Sequence, residues 1–193
     1  MPTTAIPEAQ AESWPLTEDD SLYEVVNGQR LEPPPMSVLA TRIANRLGRR
    51  LGTFVEDSRL GTAEVEMLFL LDEAEDLQRR PDVALVSFER WPSDRAVPDD
   101  EAAWDVVPDL AVEVVSPTDR DEAGLAKVRE YFAAGVRLVW KVYPRQRVVH
   151  VFESFAAIRV LTRADDLDGG PVVPGFRLPL AALFEQPEEA PAG

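Results

Sequence analysis

Leu39, Ile43, Leu47 and Leu51 recur every four residues, so they line one side of a helix. That spacing predicts a helix from just after Pro33-Pro34-Pro35 to about Leu51. Ahead of it, Tyr23-Glu24-Val25-Val26 and Gln29-Arg30-Leu31 flank Asn27-Gly28, a pair that supplies the positive φ values of a tight hairpin turn. From Gly61 the period changes to two: Val65, Met67, Phe69 and Leu71 alternate with Glu64, Glu66, Leu68 and Leu70, which predicts one strand. An acidic turn, Asp72 to Asp76, follows. Pro81-Asp82 then opens the short apolar run Val83-Ala84-Leu85-Val86.

Leu110 to Val115 is almost continuously apolar, as in a strand buried on both faces, with Glu113 in its middle. Ser116, Pro117 and Asp119 form a capping-box-like helix start. On the helix that follows, Leu125, Val128 and Phe132 are spaced as a core-facing stripe, and Lys127 and Tyr131 share a neighbouring face. Gly135 suits its end. Strands are expected over Arg137–Val142 and Val148–Phe152, joined by Tyr143-Pro144-Arg145-Gln146, and a further one over Ala157–Thr162. Asp165–Gly170 reads as a turn, and Pro174-Gly175-Phe176 leads into a closing segment ending near Phe184. Phe88–Val107, with Pro92, Pro98 and Asp99-Asp100-Glu101, reads as a long exposed connection, of a length that is often functional, and forming a rim over a cleft is one such role.

A helix first, then several strands, one strand-to-helix crossover and a closing hairpin imply an α/β (α+β) fold with a mixed sheet flanked by helices. The expected organisation is a flexible arm over 1–15, rich in Ala, Pro, Glu and Thr, a single domain over 16–184 and a loose tail over 185–193. With 193 residues and 45% hydrophobic content, one sizeable core is expected.

Composition narrows the chemistry. The absence of cysteine and the single histidine exclude thiolate and histidine-rich metal sites, so any metal is a hard cation held by oxygen. Twenty Lys and Arg against 35 Asp and Glu give 20 − 35 = −15, which opposes non-specific binding to a polyanion. A nucleic-acid role then needs a local basic patch. Arg42, Arg46, Arg49 and Arg50 form the most basic segment, either a phosphate-tracking surface or, the blander reading, solvated arginines on an ordinary helix. No apolar run approaches the roughly 20 residues that span a bilayer, and no basic segment leads into an apolar one, so a cytoplasmic location without membrane partners is expected.

Glu113 is the residue that demands an account. An unpaired carboxylate within an apolar strand costs several kcal/mol, so it is protonated, paired, metal-bound or placed where the strand meets a wet cleft. A helix folding back over the strand brings Lys127 towards it, giving either a buried ion pair or the start of an active site. Asp82 opens the neighbouring apolar run, where by itself it reads as a turn residue, and Glu64 and Glu66 precede it. Mg²⁺ takes only one or two carboxylates from a protein, so Asp82, Glu113 and an ammonium fit metal-assisted phosphodiester hydrolysis. His150, between Val148 and Phe152 on one strand face, reads as structural.

The order YEVVNG, an arginine-bearing helix, RPDVALV, PDLAVEVVSP, Lys127 with Tyr131, Gly135-Val136, VW with Pro144 four residues on, and PGF followed by LF resembles the Uma-two family of bacterial endonucleases, in register from about Leu22 to Phe184. The resemblance implies the restriction-endonuclease-like fold of the PD-(D/E)xK nucleases, and the leading reading of the site is a metal-dependent endonuclease acting on DNA. The resemblance also implies Asp82 and Glu113 as ligands of Mg²⁺ or Mn²⁺ and Lys127 as the lysine displaced from the usual place two residues after the acid, which Val115 fills. Glu66 and Tyr131 are candidate supports, Glu24 of the tyrosine-acid pair reads as structural, and a homodimer is implied because a duplex has two strands to cut. The chain departs from the pattern in lacking a histidine between Pro33 and Leu51, and in having Tyr143-Pro144 where an Asp-Pro is usual. Two alternatives stand beside the nuclease: a non-catalytic binding or accessory module that keeps the fold, and a hydrolase of another phosphodiester.

Overall fold

The computed structural model describes residues 21–117 and 121–185. The expected arm, almost all of the expected tail, and Asp119 lie outside these. A hairpin, β1 (Glu24–Val26) and β2 (Gln29–Leu31), turns through Asn27 at φ 51° and Gly28 at φ 72°. The left-handed backbone that the Asn-Gly pair supplies is thus used at both positions. Ser37 accepts the Ala40 N–H and starts helix α1 (Val38–Asp57). The helix outruns Leu51 because Val55, fully buried, continues the four-residue stripe.

The period-two run from Gly61 does not make one strand. Glu66 adopts φ 53° and breaks it into β3 (Gly61–Val65) and β4 (Phe69–Asp72). The two halves join different sheets. β4 pairs with β5 (Leu77–Arg79) in a four-stranded sheet of order β2-β1-β5-β4. β3 forms an edge of a six-stranded sheet with β6 (Val83–Ser87), β7 (Leu110–Val114), β8 (Leu138–Tyr143), β9 (Val148–Ser154) and β10 (Ala157–Thr162), ordered β10-β9-β8-β7-β6-β3. Only β7 and β8 run parallel there, joined over the sheet by helix α2 (Asp121–Ala134). The stretch expected as a turn at 165–170 is instead largely a strand, β11 (Asp166–Gly169), paired with β12 (Val173–Pro179) ahead of the short helix α3 (Leu180–Leu183).

Both faces of the six-stranded sheet are covered, which accounts for the continuous apolar runs of β6 and β7. Val83, Leu85, Leu110, Val112, Trp140 and Val142 pack with the buried stripe of α1. Ala84, Val86, Ala111 and Val139 pack on the other side with Val128 and Tyr131 of α2. Strand alternation then places Asp82, Glu113 and Lys141, each two residues from one of these, on the α2 side.

Two local expectations change. On α2, Leu125 is 45% exposed, whereas Tyr131 is fully buried beside Val128, because its hydroxyl has a partner below the helix. The Ser116 hydroxyl accepts the Ser37 N–H at 3.1 Å; α2 is described from Asp121, and Asp119 of its expected capping box lies outside the described residues. The 88–107 connection is held down by buried Trp91 and Trp104, whose rings meet edge-on at 5.1 Å, with Trp104 stacked on Phe69. Arg90 reinforces it with a 2.7 Å bridge to buried Asp109. No helix among the described residues is long and apolar enough to cross a membrane.

Candidate active site

Asp82 precedes β6, and the register pairing Val83 with Val112 sets it opposite Glu113 on β7. The Val114 N–H donates to Asp82 Oδ2 at 2.5 Å, fixing one carboxylate oxygen against the strand that carries the other. Helix α2 supplies the remaining groups. Tyr131 donates its hydroxyl to Glu113 Oε1 at 2.6 Å, and Lys127 Nζ lies 3.4 Å from Glu113 Oε2. Their four-residue spacing along the helix lets both reach one carboxylate.

Lys127 is bound more tightly elsewhere, at 2.8 Å from Glu24 Oε1 on the hairpin. Glu24 also accepts the Arg80 N–H at 3.1 Å and bridges Arg79 at 2.7 Å, and Arg79 in turn bridges Glu130 of α2 at 2.6 Å. A line of alternating charge therefore runs Glu113, Lys127, Glu24, Arg79, Glu130.

Burial, and then the charge of Glu113, push the Asp82 carboxyl up to about 8, outweighing the Val114 N–H and Lys127, which pull it down. Burial acts the same way on Tyr131 and, joined by the Glu113 and Glu24 charges, keeps it a phenol and a donor. For Lys127 burial opposes the charge, but Glu113 and Glu24 prevail and raise it above its ordinary range. Burial likewise disfavours the Glu24 anion, yet Lys127, Arg79 and the Arg80 N–H hold it below the usual carboxylate range.

A carboxyl raised in the folded state binds a proton that the unfolded chain has released, so its contribution to stability is full at low pH and is lost as pH rises through the folded value. The metal-free protein is therefore expected to lose Tm as pH rises from about 5 to about 8, with Asp82→Asn flattening the slope. Parallel melts of the two proteins check this, and equal slopes would sink it. The low-pH side belongs to Glu24, whose contribution is present above the ordinary carboxylate range and is lost on acidification.

Residues 9–181 match the model of the Uma2 family, described as "Putative restriction endonuclease". The chain belongs to this family. A solved structure titled as a "putative nuclease belonging to DUF820", from Anabaena variabilis, superposes with a TM-score of 0.72 at 16% identity, over 84% of this chain and 89% of that one. The shared architecture is the restriction-endonuclease-like fold, with the mixed central sheet flanked by helices. No curated protein matches the chain.

In this Uma2 chain the charged line borders a cleft of about 1010 Å³, whose other wall is Leu31, Pro33–Pro35 and Met36. Asp82, Glu113, Lys127 and Glu66 all line it. Glu66, at the strand break, is close enough for its charge to raise Asp82, but no group of three possible His, Cys, Asp or Glu ligands is gathered among the described residues. Two carboxylates from adjacent strands remain. That donor set suits a hard divalent cation completed by water and phosphate, and such a cation relieves the repulsion that raises Asp82. None of the 88–107 residues lines the cleft, so that connection forms no rim over it.

Arg42, Arg46 and Arg49 do not line the cleft either. Arg46 donates to the carbonyls of Ala182, Leu183 and Glu185 at 3.0, 2.8 and 2.9 Å, closing the end of α3, while Arg42 and Arg49 are exposed. Among the described residues, the cations lining the cleft are Arg79, Arg80, Lys127 and Lys141. His150 is half-buried with its ring 4.6 Å from that of Tyr143, and it does not line the cleft. Sequence reading passed over Arg79, Glu130 and Lys141. The doublet Arg79-Arg80 directly before Pro81-Asp82 is the signal that was available for the first.

Proposed function

We propose that the chain is a Mg²⁺- or Mn²⁺-dependent DNA endonuclease, with Asp82 and Glu113 holding the metal and Lys127 presenting its ammonium to the attacking water. The observation that supports this is the meeting of two strand carboxylates and a helix lysine in one cleft, Lys127 lying 3.4 Å from Glu113. When bound, the cation supplies Lewis-acid polarisation of a phosphoryl oxygen and acidifies a water towards neutrality.

The chain's own residues set the geometry. The Val114 N–H holds Asp82 in one orientation and the Tyr131 hydroxyl holds Glu113, so neither carboxylate has to be ordered when substrate arrives. Glu24 keeps the Lys127 ammonium charged and anchored, which leaves it positioned to orient a water and to face charge developing on the phosphoryl group. Glu66 adds negative charge at the rim and supports cation capture. A homodimer, cutting both strands of a duplex in a cytoplasmic setting, belongs to the same reading.

Purified protein is expected to nick plasmid or cut single-stranded DNA at low salt with Mg²⁺ or Mn²⁺, and to leave both intact in EDTA. The metal is also expected to raise Tm, since a ligand at about 100 times its Kd stabilises the native state by about 2.7 kcal/mol. The second reading, a non-catalytic module, is favoured by the engagement of Lys127 with two carboxylates, which by itself describes an internal ion-pair network. Absence of cleavage in every condition, together with a Tm indifferent to both metals, would establish that reading.

A further inference from the structure

We infer that the open outer face of β9 and β10, rimmed by Arg145, Arg147 and Arg163, carries the DNA strand away from the cleft, an inference that rests on the nuclease reading above. The register draws the path. Glu113 on β7 pairs with Lys141 on β8, Lys141 with His150 on β9, and His150 with Val160 on β10, so one cross-sheet row leads from the candidate site to the sheet edge. Strands lie roughly 4.8 Å apart, which puts Val160 roughly 14 Å from Glu113 along that row. Stacked nucleotides rise roughly 3.4 Å each, so the row spans about four of them. Helix α2 packs on the sheet at Ala111 and Val139, and the row emerges beyond it: His150 is half-buried, and Ile158 and Val160 are 49% and 58% exposed.

Charge along this path selects its occupant. Residues 138–152 hold Lys141, Arg145 and Arg147 and not one acid, in a chain with 35 Asp and Glu. Because β7 and β8 run parallel, Arg145 and Arg147, in the turn after β8, stand at the sheet end that carries Asp82 and Glu113. Val148 pairs with Thr162, so the register continued by one residue sets Arg147 beside Arg163. Like charges so placed are unfavourable, and an anion between them relieves the repulsion. All three arginines are exposed, and none has a salt bridge among the described residues. The acids that follow Arg163 are engaged elsewhere, Asp165 by the Thr162 N–H and hydroxyl at 2.7 and 2.8 Å and Asp166 by Arg177 at 3.6 Å. Arg147 also stands at φ 56°, where glycine is free of the Cβ penalty, so the cation is held there at a cost to the turn. A phosphate backbone fits this rim, and the His150 ring and the exposed apolar side chains offer a face for bases. A second copy of the chain across the same face would bring its own arginines to the same rim.

The test is fluorescence anisotropy of short fluorescein-labelled DNA, single-stranded and duplex, in EDTA over a salt series, with thermal melts and sedimentation of the same proteins. Losing one phosphate contact flattens the slope of log K against log salt by about 0.7 for a single strand and about 0.9 for a duplex. The triple variant Arg145→Gln, Arg147→Gly, Arg163→Gln is expected to bind more weakly and to lose about 2 from the single-strand slope. Arg147→Gly alone is expected to lose one contact without losing Tm, since glycine suits the turn, and Arg147→Lys to keep the wild-type slope. A control of equal charge loss on α1, Arg42→Gln, Arg49→Gln, Arg50→Gln, is expected to bind as the wild type does. Wild-type affinity and slope in the first triple variant, or an equal loss in the control, would overturn the inference while leaving a cleaving wild type a nuclease. Normal binding by the first triple variant, with Val160→Glu halving the sedimenting mass, would overturn it in favour of a second copy seated on this face. A wild type that cleaves with Mg²⁺ but binds no DNA in EDTA also overturns it, and one that neither binds nor cleaves removes the nuclease reading itself.

Discussion

Glu113→Gln and Asp82→Asn are each expected to lower metal-dependent DNA cleavage by about 10³-fold, the scale on which a single preorganised electrostatic group acts in a closed site. The amides are the informative replacements. Glutamine keeps an oxygen for the Tyr131 hydroxyl and the volume of Glu113, and asparagine keeps an acceptor for the Val114 N–H, so each removes charge and little else. For Asp82 the effects on activity and stability have opposite signs. The carboxyl raised to about 8 is a liability to the metal-free fold near neutral pH, so Asp82→Asn is expected to melt higher while cutting less. Single-turnover cleavage and thermal melts on the same preparations measure both, and wild-type cleavage in either variant would remove that residue from the proposed site.

Glu24→Ala carries the largest expected effect on stability, a loss of about 3–5 kcal/mol, the range found when one member of a buried ion pair is removed. Glu24 is 4% exposed and is the acceptor for two cations at once, Arg79 at 2.7 Å and Lys127 at 2.8 Å. Its deletion leaves Arg79 with Glu130 alone and Lys127 with the more distant Glu113. Replacing Glu24 by leucine and Arg79 by methionine together is expected to return much of the loss, because matched apolar side chains do not leave an uncompensated charge. Urea denaturation of the three proteins decides it; a loss below about 1 kcal/mol in Glu24→Ala would mean the network is no stronger than a surface pair.

Much of this arrangement is legible in the chain because the deciding signals are local. Asn27-Gly28 dictates the hairpin, the four-residue recurrence from Leu39 dictates α1, and an acid inside Leu110–Val115 exposes itself by its cost. The failures come from partners that are distant in sequence. Nothing in the alternation around Glu66 signals that its two halves join different sheets; a single left-handed residue settles it. Leu125 fits the apolar spacing better than Tyr131, but only tyrosine can both fill the core and satisfy Glu113. Tryptophans 91 and 104 lie among prolines and acids, so their segment reads as polar although its two rings are buried. Glu24 lies more than one hundred residues from Lys127, and no periodicity reports such a pairing.

The break at Glu66 also has a mechanical meaning. Glu24 and Arg79 stand on the four-stranded sheet and Asp82 and Glu113 at the six-stranded one, so the cleft is a joint between two plates. Lys127 grips one carboxylate from each plate and acts as the tie-rod across that joint. The alignment of the candidate site is thus a property of how two sheets are clamped, with this ammonium among the clamps, rather than of either sheet alone.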